Sequence, residues 1–313
     1  MPHPMPTDPE VLAYIERTNS FYPPDATDFS VAENRAWYDR YAREMRAPHP
    51  AGVTAEDFSI PAASPERAIA CRRYRKAGST APPNVTVLYL HGGGFILGGL
   101  ESHDDACAGL CDATGLEVVA VDYRLAPEHL HPAQGDDAQA AFAHLAAQER
   151  RVIAAGDSAG GNLVAALCLR CKRGGSMPIG QILIYPGLGG DRSKGSYVVN
   201  AEAPMLTAKE GAYYFGIRTG GRERADCRDP DLMPLLAADL AGLPPAYVIT
   251  ADIDPIRDDG RDWVERLKAA GIEAHWRNEP QLVHGYLRAR HMSRRAAESF
   301  TFICQAATRL AAG

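Results

Sequence analysis

The most constraining stretch of this 313-residue chain lies in its middle. An apolar run, 152–155, leads into Gly156-Asp-Ser-Ala-Gly160-Gly161 and then into a helical run, 162–173. A strand that turns through small residues straight into a helix is the local unit of a parallel α/β sheet. The pattern repeats. Candidate strands fall at 54–60, 68–75, 85–91, 117–122, 152–156, 181–185, 246–251 and 273–278, with helical patterns at 104–114, 133–149, 158–173, 258–270 and 293–310. Near-continuous apolar strands alternating with helices predict an α/β chain built on a mostly parallel, doubly wound sheet. The first two strands have no helix between them and are expected to form an antiparallel edge. In the helix at 258–270, Asp258 or Asp259 can serve as N-cap, Trp263 and Leu267 share a face, and Gly271 supplies the stop.

Two segments break the rhythm. Residues 1–50 hold two helical patterns, 11–19 and 31–45, framed by prolines, with Trp37, Tyr38, Tyr41 and Met45 spaced for one face. Residues 187–219 carry Met205, Leu206, Tyr213, Tyr214 and Phe215 without a strand pattern. We expect these two segments to pack together as a small helical cap over a catalytic domain made of 51–186 and 220–313. A hydrophobic fraction of 46% and a charged fraction of 23% suffice for a core without disulfides or metals. The net charge of −6 argues against a nucleic-acid partner or an anionic membrane surface. The longest apolar runs, such as 85–90, are too short to span a bilayer. The first residues show no basic or apolar leader pattern. Seven scattered cysteines, an odd number, fit a reducing cytoplasm, the expected compartment. Cys168 and Cys171 form one CxxC with no second pair, so no metal is expected.

The chemistry concentrates at four places. G-x-S-x-G at 156–160 holds a serine on a tight strand-to-helix turn, which exposes Ser158 at a helix N-terminus and makes it the candidate nucleophile. His91-Gly-Gly-Gly-Phe95 follows the 85–90 run, and its consecutive glycines leave backbone N–H groups free to donate to a developing oxyanion. No Gly-Lys-Ser/Thr follows, which excludes a P-loop. His91 reads as a loop-holding residue rather than a proton carrier. A serine needs a base, and the base an orienting carboxylate, in the chain order Ser, Asp/Glu, His for such a fold. Asp252 and Asp254 both follow the 246–250 run, and Asp254 is preferred, mainly on the resemblance given below. Among downstream histidines, His275 lies within a strand pattern and His291 in a polar helical stretch. His284 lies in a loop between the last strand and the last helix, where Gly285 permits a turn, and is the candidate base.

The ordered set HGGGF at 91–95, DYRLAPEH at 122–129, GDSAGG at 156–161, DPIRD at 254–258 and HGY at 284–286 resembles the hormone-sensitive-lipase-like family of α/β-hydrolases. The resemblance covers roughly residues 53–290. It implies an eight-stranded sheet, a helical cap formed partly by the N-terminus, a triad of Ser158, Asp254 and His284, and oxyanion donors at the amides of Gly93, Gly94 and Ala159. It implies that Asp157 stabilises the elbow. It implies hydrolysis of short- to medium-chain carboxylic esters without a cofactor, and a homodimer through the edge strand near 273–278. Trp37, Tyr41, Met205, Leu206, Tyr213 and Tyr214 are the candidate pocket residues for a small-molecule ester. Two departures stand out: His131, where the family commonly has an aromatic residue, and Glu279-Pro-Gln-Leu before HGY. An amidase, deacetylase or acyltransferase with the same triad, and a ligand-binding receptor on this scaffold, are the competing readings; the receptors lack the histidine that is present here.

Overall fold

The computed structural model describes residues 4–23, 26–63 and 65–313. Eight strands form one sheet in the order β1-β2-β4-β3-β5-β6-β7-β8. They span Val53–Ala63, Glu66–Lys76, Val85–Leu90, Glu117–Val121, Arg151–Asp157, Gly180–Ile184, Ala246–Ile253 and Ala274–Val283 in chain order. β2 pairs antiparallel with both β1 and β4, and the remaining neighbours are parallel. The mostly parallel sheet with an antiparallel edge is the one the sequence predicts. Every residue of β3 and β6 is buried, as expected of strands covered on both faces.

Side chains alternate between two cores. Ile153 and Ala155 of β5 face one, which also holds Cys107 and Leu110 of α3 (Asp104–Thr114) and Ile303 of α9 (Arg294–Ala312). Val152 and Ala154 face the other. There they meet Phe142 of α4 (Ala133–Ala146), Leu163 and Leu167 of α5 (Ala159–Gly174), and Trp263 and Leu267 of α8 (Arg257–Ala269). The two-residue period of a strand sorts its apolar residues between the helical layers.

Three local expectations change. The last strand runs five residues past 278 to Val283, through Pro280. As the outer strand it tolerates a missing N–H, and the register slips opposite Ala251 and Ile253. The helix from Ala133 stops at Ala146. Neither Asp258 nor Asp259 caps α8: the N-cap is Ile256, and both carboxylates reach instead to residues 188–197.

The segments outside the sheet carry strong helix starts. Asp8 caps α1 (Pro9–Asn19), and capping boxes Ser30/Glu33 and Thr207/Glu210 open α2 (Val31–Met45) and α7 (Ala208–Thr219). Between β6 and α7 lies one short helix, α6 (Ser196–Val199). The N-terminal segment touches α7 through an Asp28–Lys209 ion pair at 3.7 Å and a 3.4 Å hydrogen bond from the Tyr213 hydroxyl to the Phe29 carbonyl.

Candidate active site

The serine turn is shaped by close packing. Ser158 adopts φ 53°, ψ −115°, so α5 begins only at Ala159. A Cβ on Gly160 would lie 1.8 Å from the Leu90 carbonyl oxygen, so β3 and the start of α5 approach within a distance only glycine allows. The strained backbone lifts the Ser158 side chain out of the sheet, where it stays half-exposed.

The 91–95 loop is tied to this turn by Asp157. Its buried carboxylate accepts from the Tyr89 hydroxyl at 2.9 Å, the Gly92 amide at 3.0 Å and the Tyr185 hydroxyl at 3.3 Å, and His103 Nε2 lies 3.3 Å away. Burial pushes the carboxyl up, but His103, the Tyr89 hydroxyl and the Arg288 guanidinium outweigh it and hold Asp157 below the usual carboxylate range. His91 stacks on Tyr123 at 4.2 Å between ring centroids and donates from Nδ1 to the Gly92 carbonyl at 2.7 Å. Burial lowers its pKa to about 3, so the ring is neutral. Tyr123, from the DYRLAPEH stretch, donates to the His91 carbonyl at 2.7 Å. No acceptor is found for the Gly93 or Gly94 amides among the described residues, and Ala159 contributes one of the unpaired amides that open α5.

Ser158 Oγ lies 2.8 Å from His284 Nε2, and His284 Nδ1 lies 2.7 Å from Asp254 Oδ2. The carboxylate can only accept, which places the ring proton on Nδ1 and leaves Nε2 to accept from the serine hydroxyl. Asp254 is fully buried. Its second oxygen accepts from the Ile256 amide at 3.0 Å, and its carbonyl accepts from Asn200 at 3.0 Å. The Tyr14 hydroxyl donates to the Gly285 carbonyl at 2.9 Å, which ties α1 to the histidine loop. The other candidates lie apart. Asp252 accepts from Asn278, His275 stacks on Tyr247, and exposed His291 lies 3.8 Å from Asp105.

A cavity of about 720 Å³ opens at the carboxyl ends of the strands, above these groups. Ser158, Ala159, Gly93, Gly94 and His284 line it, as do Tyr41, Met205, Leu206 and Tyr214. The Tyr214 ring lies 2.6 Å from where a Gly94 Cβ would stand, so α7 lies against the glycine loop. Trp37 and Tyr213 do not line the cavity. Trp37 packs edge-on against Phe29 with centroids 5.0 Å apart, and Tyr213 packs beside Ile96 and Leu97, because the helical faces that carry them turn toward neighbouring segments. Sequence reasoning missed Tyr38, Phe95, Phe215, Arg218 and Arg288 in the wall. Phe215 and Tyr38 had a signal in the aromatic segments that hold them, and Phe95 in its place at the end of the glycine stretch. Buried His131 bonds to Asp229 at 2.8 Å, outside the wall, so that departure does not reach the cavity. Among the described residues, no group of three or more His, Cys, Asp or Glu side chains could hold a metal ion.

A fold and site of this kind define an α/β-hydrolase, and residues 87–288 match the family model described as alpha/beta hydrolase fold. The chain belongs to this family, on its hormone-sensitive-lipase-like branch. It is 37% identical over 275 residues to the carboxylic ester hydrolase LipN of Mycobacterium tuberculosis, covering 84% of this chain and 72% of that protein. It is 41% identical over 213 residues to the carboxylesterase NlhH of the same organism, covering 64% of this chain and 66% of that protein, just under two thirds. Among solved structures, it superposes on a hyperthermophilic esterase of Pyrobaculum calidifontis with a TM-score of 0.88 and 32% identity, covering 99% of this chain and 100% of that one.

Proposed function

We propose that this chain is a serine carboxylesterase acting on short- to medium-chain esters, with Ser158 as nucleophile, His284 as base and Asp254 as orienting acid. The observation that carries the reading is the unbroken relay Asp254–His284–Ser158, with links of 2.7 and 2.8 Å, facing a cavity shared with three amides that have no acceptor among the described residues. The relatives named as ester hydrolases support it. His284 Nε2 takes the hydroxyl proton as Ser158 Oγ attacks the ester carbonyl. Asp254 holds the ring and stabilises the imidazolium. The Gly93, Gly94 and Ala159 amides receive the oxyanion, each donor contributing about 3–4 kcal/mol to the transition state. The proton then passes to the departing alcohol. Water repeats the steps on the acyl-enzyme and releases the acid.

Segments 4–50 and 187–219 act in this reading as the cap that sets pocket length. β8 is a free sheet edge with Trp276 40% exposed, which supports pairing with a second copy; size-exclusion chromatography tests that. All seven cysteines are unpaired and buried, which supports a reducing cytoplasm, and none of the helices is long and apolar enough to cross a membrane among the described residues.

Ser158→Ala is expected to lower kcat for 4-nitrophenyl butyrate by roughly 10⁴- to 10⁶-fold with an unchanged circular-dichroism melt. A folded variant that keeps most of its activity overturns the assignment.

A further inference from the structure

The charge of the cavity wall opposes that of the chain. The protein carries a net charge of −6, yet six basic and three acidic side chains line the cavity. The three acids are already engaged. Asp105 pairs with Arg290 at 2.5 Å, Asp157 is held by His103 and Tyr89, and Glu210 closes the Thr207 capping box. Among the described residues, Arg192, Arg218, Arg224 and Arg288 have no carboxylate within ion-pair distance, and they donate only to neutral groups. Arg192 donates to the Gly211 carbonyl at 3.2 Å, and Arg224 to the Gly190 carbonyl at 2.9 Å. Arg218 donates to Asn162 Oδ1 at 3.1 Å, and Arg288 to the Ser102 carbonyl at 2.6 Å and the Tyr38 hydroxyl at 2.9 Å.

Arg192 and Arg224 both lie beside one ring. Their guanidinium carbons lie 5.9 and 5.4 Å from the centroid of one ring, Phe215, and both side chains are half-buried in the wall. Two like charges held beside one ring repel each other, and an anion between them removes the repulsion. Each guanidinium has five donors in a plane, and each of these two spends one on a backbone carbonyl. That leaves donors on each guanidinium that suit a carboxylate. Arg218 is different in kind. It is 2% exposed, stacks 3.5 Å from the Phe95 ring centroid, and keeps Nε and Nη2 unpartnered among the described residues. It adds positive potential between the serine helix and the glycine loop without being open to a ligand.

We infer that the physiological substrate is an ester that carries a carboxylate at its far end, received by Arg192 and Arg224 beside Phe215. This rests on the esterase reading and narrows it from short- to medium-chain esters in general to half-esters of dicarboxylic acids or esters of hydroxy acids. Both present the same carboxylate; they differ in which side of the scissile bond bears it. The cavity's positive potential also gathers such anions from solution.

The test is a ratio of kcat/KM values for ester pairs matched in length. On the acyl side, mono-4-nitrophenyl glutarate is compared with 4-nitrophenyl valerate. On the alcohol side, 4-butyryloxybenzoate is compared with its methyl ester. In at least one pair, the anionic ester is expected to be preferred by roughly tenfold or more at low salt, and the preference should shrink as sodium chloride is raised. In Arg192→Met/Arg224→Met the ratio should fall about tenfold, mainly through KM of the anionic ester. Free glutarate should compete with the neutral ester in the wild type, and more weakly in the variant. Ratios at or below one in both pairs of the wild type overturn the inference and leave the esterase reading standing. A preference that is insensitive to salt overturns it as well, and so does one that persists in a folded double variant. Failure to cleave any of the four esters would count against the esterase reading instead.

Discussion

Two buried aspartates hold the two sides of the cavity, and their electrostatics differ. Asp157 ties the glycine loop to the serine turn, beside His103, and is held below the usual carboxylate range despite its burial. Asp259 ties down the other side. It accepts from the amides of Leu188 and Gly189 at 2.6 and 3.0 Å and from the Tyr197 hydroxyl at 3.0 Å. No cation lies within ion-pair distance of it among the described residues. Burial pushes its pKa up to about 6, against the pull of those donors. The side that carries Ser158 is therefore anchored by a fixed charge, and the side formed by residues 187–197 by a group that titrates close to neutrality. The reacting groups need one geometry at every working pH.

The largest effect should come from breaking the close contact on the catalytic side. Gly160→Ala would place a methyl 1.8 Å from the Leu90 carbonyl oxygen, and the obstruction is backbone in the middle of the sheet, which cannot swing away. We expect a loss of more than about 3 kcal/mol in urea denaturation, or a failure to accumulate soluble protein. A variant that folds with wild-type stability would show that the elbow is not set by packing.

Asp157→Asn comes next. The amide group would face donors from Tyr89, Gly92 and Tyr185, so at least one bond is lost and the glycine loop shifts. We expect kcat for 4-nitrophenyl butyrate to fall about 100-fold. Stability separates this from a generic defect. The folded-state pKa of Asp157 is depressed, so its contribution is present above about pH 4 and lost as the pH falls below that. The variant should show a shallower loss of stability than the wild type between about pH 4 and 2. Parallel curves would remove Asp157 from the role.

Asp259→Asn sharpens the contrast, because the sign reverses. The native state holds this proton more tightly than the unfolded chain does. The stability tied to protonated Asp259 is therefore complete below about pH 4 and is lost as the pH rises through about 6. Between about pH 4 and 8 the variant should gain roughly 1–3 kcal/mol relative to the wild type in urea denaturation. A difference that does not change with pH would place Asp259 in the same class as Asp157.

The same division governs what could be read from the sequence. Ser158, His284, the 91–95 loop and Asp157 lie in motifs because a strained turn, free amides and a buried acceptor each admit few residue types. The alternating sheet was legible because covered strands must be apolar throughout. The wall was legible only in part. Tyr41, Met205, Leu206 and Tyr214 reach the cavity but Trp37 and Tyr213 do not, since aromatic content fixes a segment's burial without fixing which helical face turns inward. Asp259 looked like a cap because a carboxylate in a first helical turn satisfies that pattern locally, whereas its partners lie about 70 residues away. β8 continues past Pro280 because an outer strand does not need that N–H, whereas the proline taken alone reads as the end of the strand.

The smallest effect is on a glycine inside α7. The glycines of the elbow are imposed by contact, but Gly216 sits in that helix with no atom within 4 Å of where a Cβ would be. It therefore costs the helix backbone entropy with no packing reason. Gly216→Ala should stabilise the protein by about 0.5–1 kcal/mol, seen as a rise of a few degrees in Tm. If the glycine serves movement of α7 against the glycine loop, where Tyr214 lies over Gly94, the same variant should also slow turnover of the longer esters in a 4-nitrophenyl series more than that of the acetate. A higher Tm with an unchanged chain-length profile would show that α7 admits esters without moving. Alanine at 160 and alanine at 216 are one chemical change, and their opposite signs would locate the boundary between the part of the chain fixed by chemistry and the part left free to choose the ester.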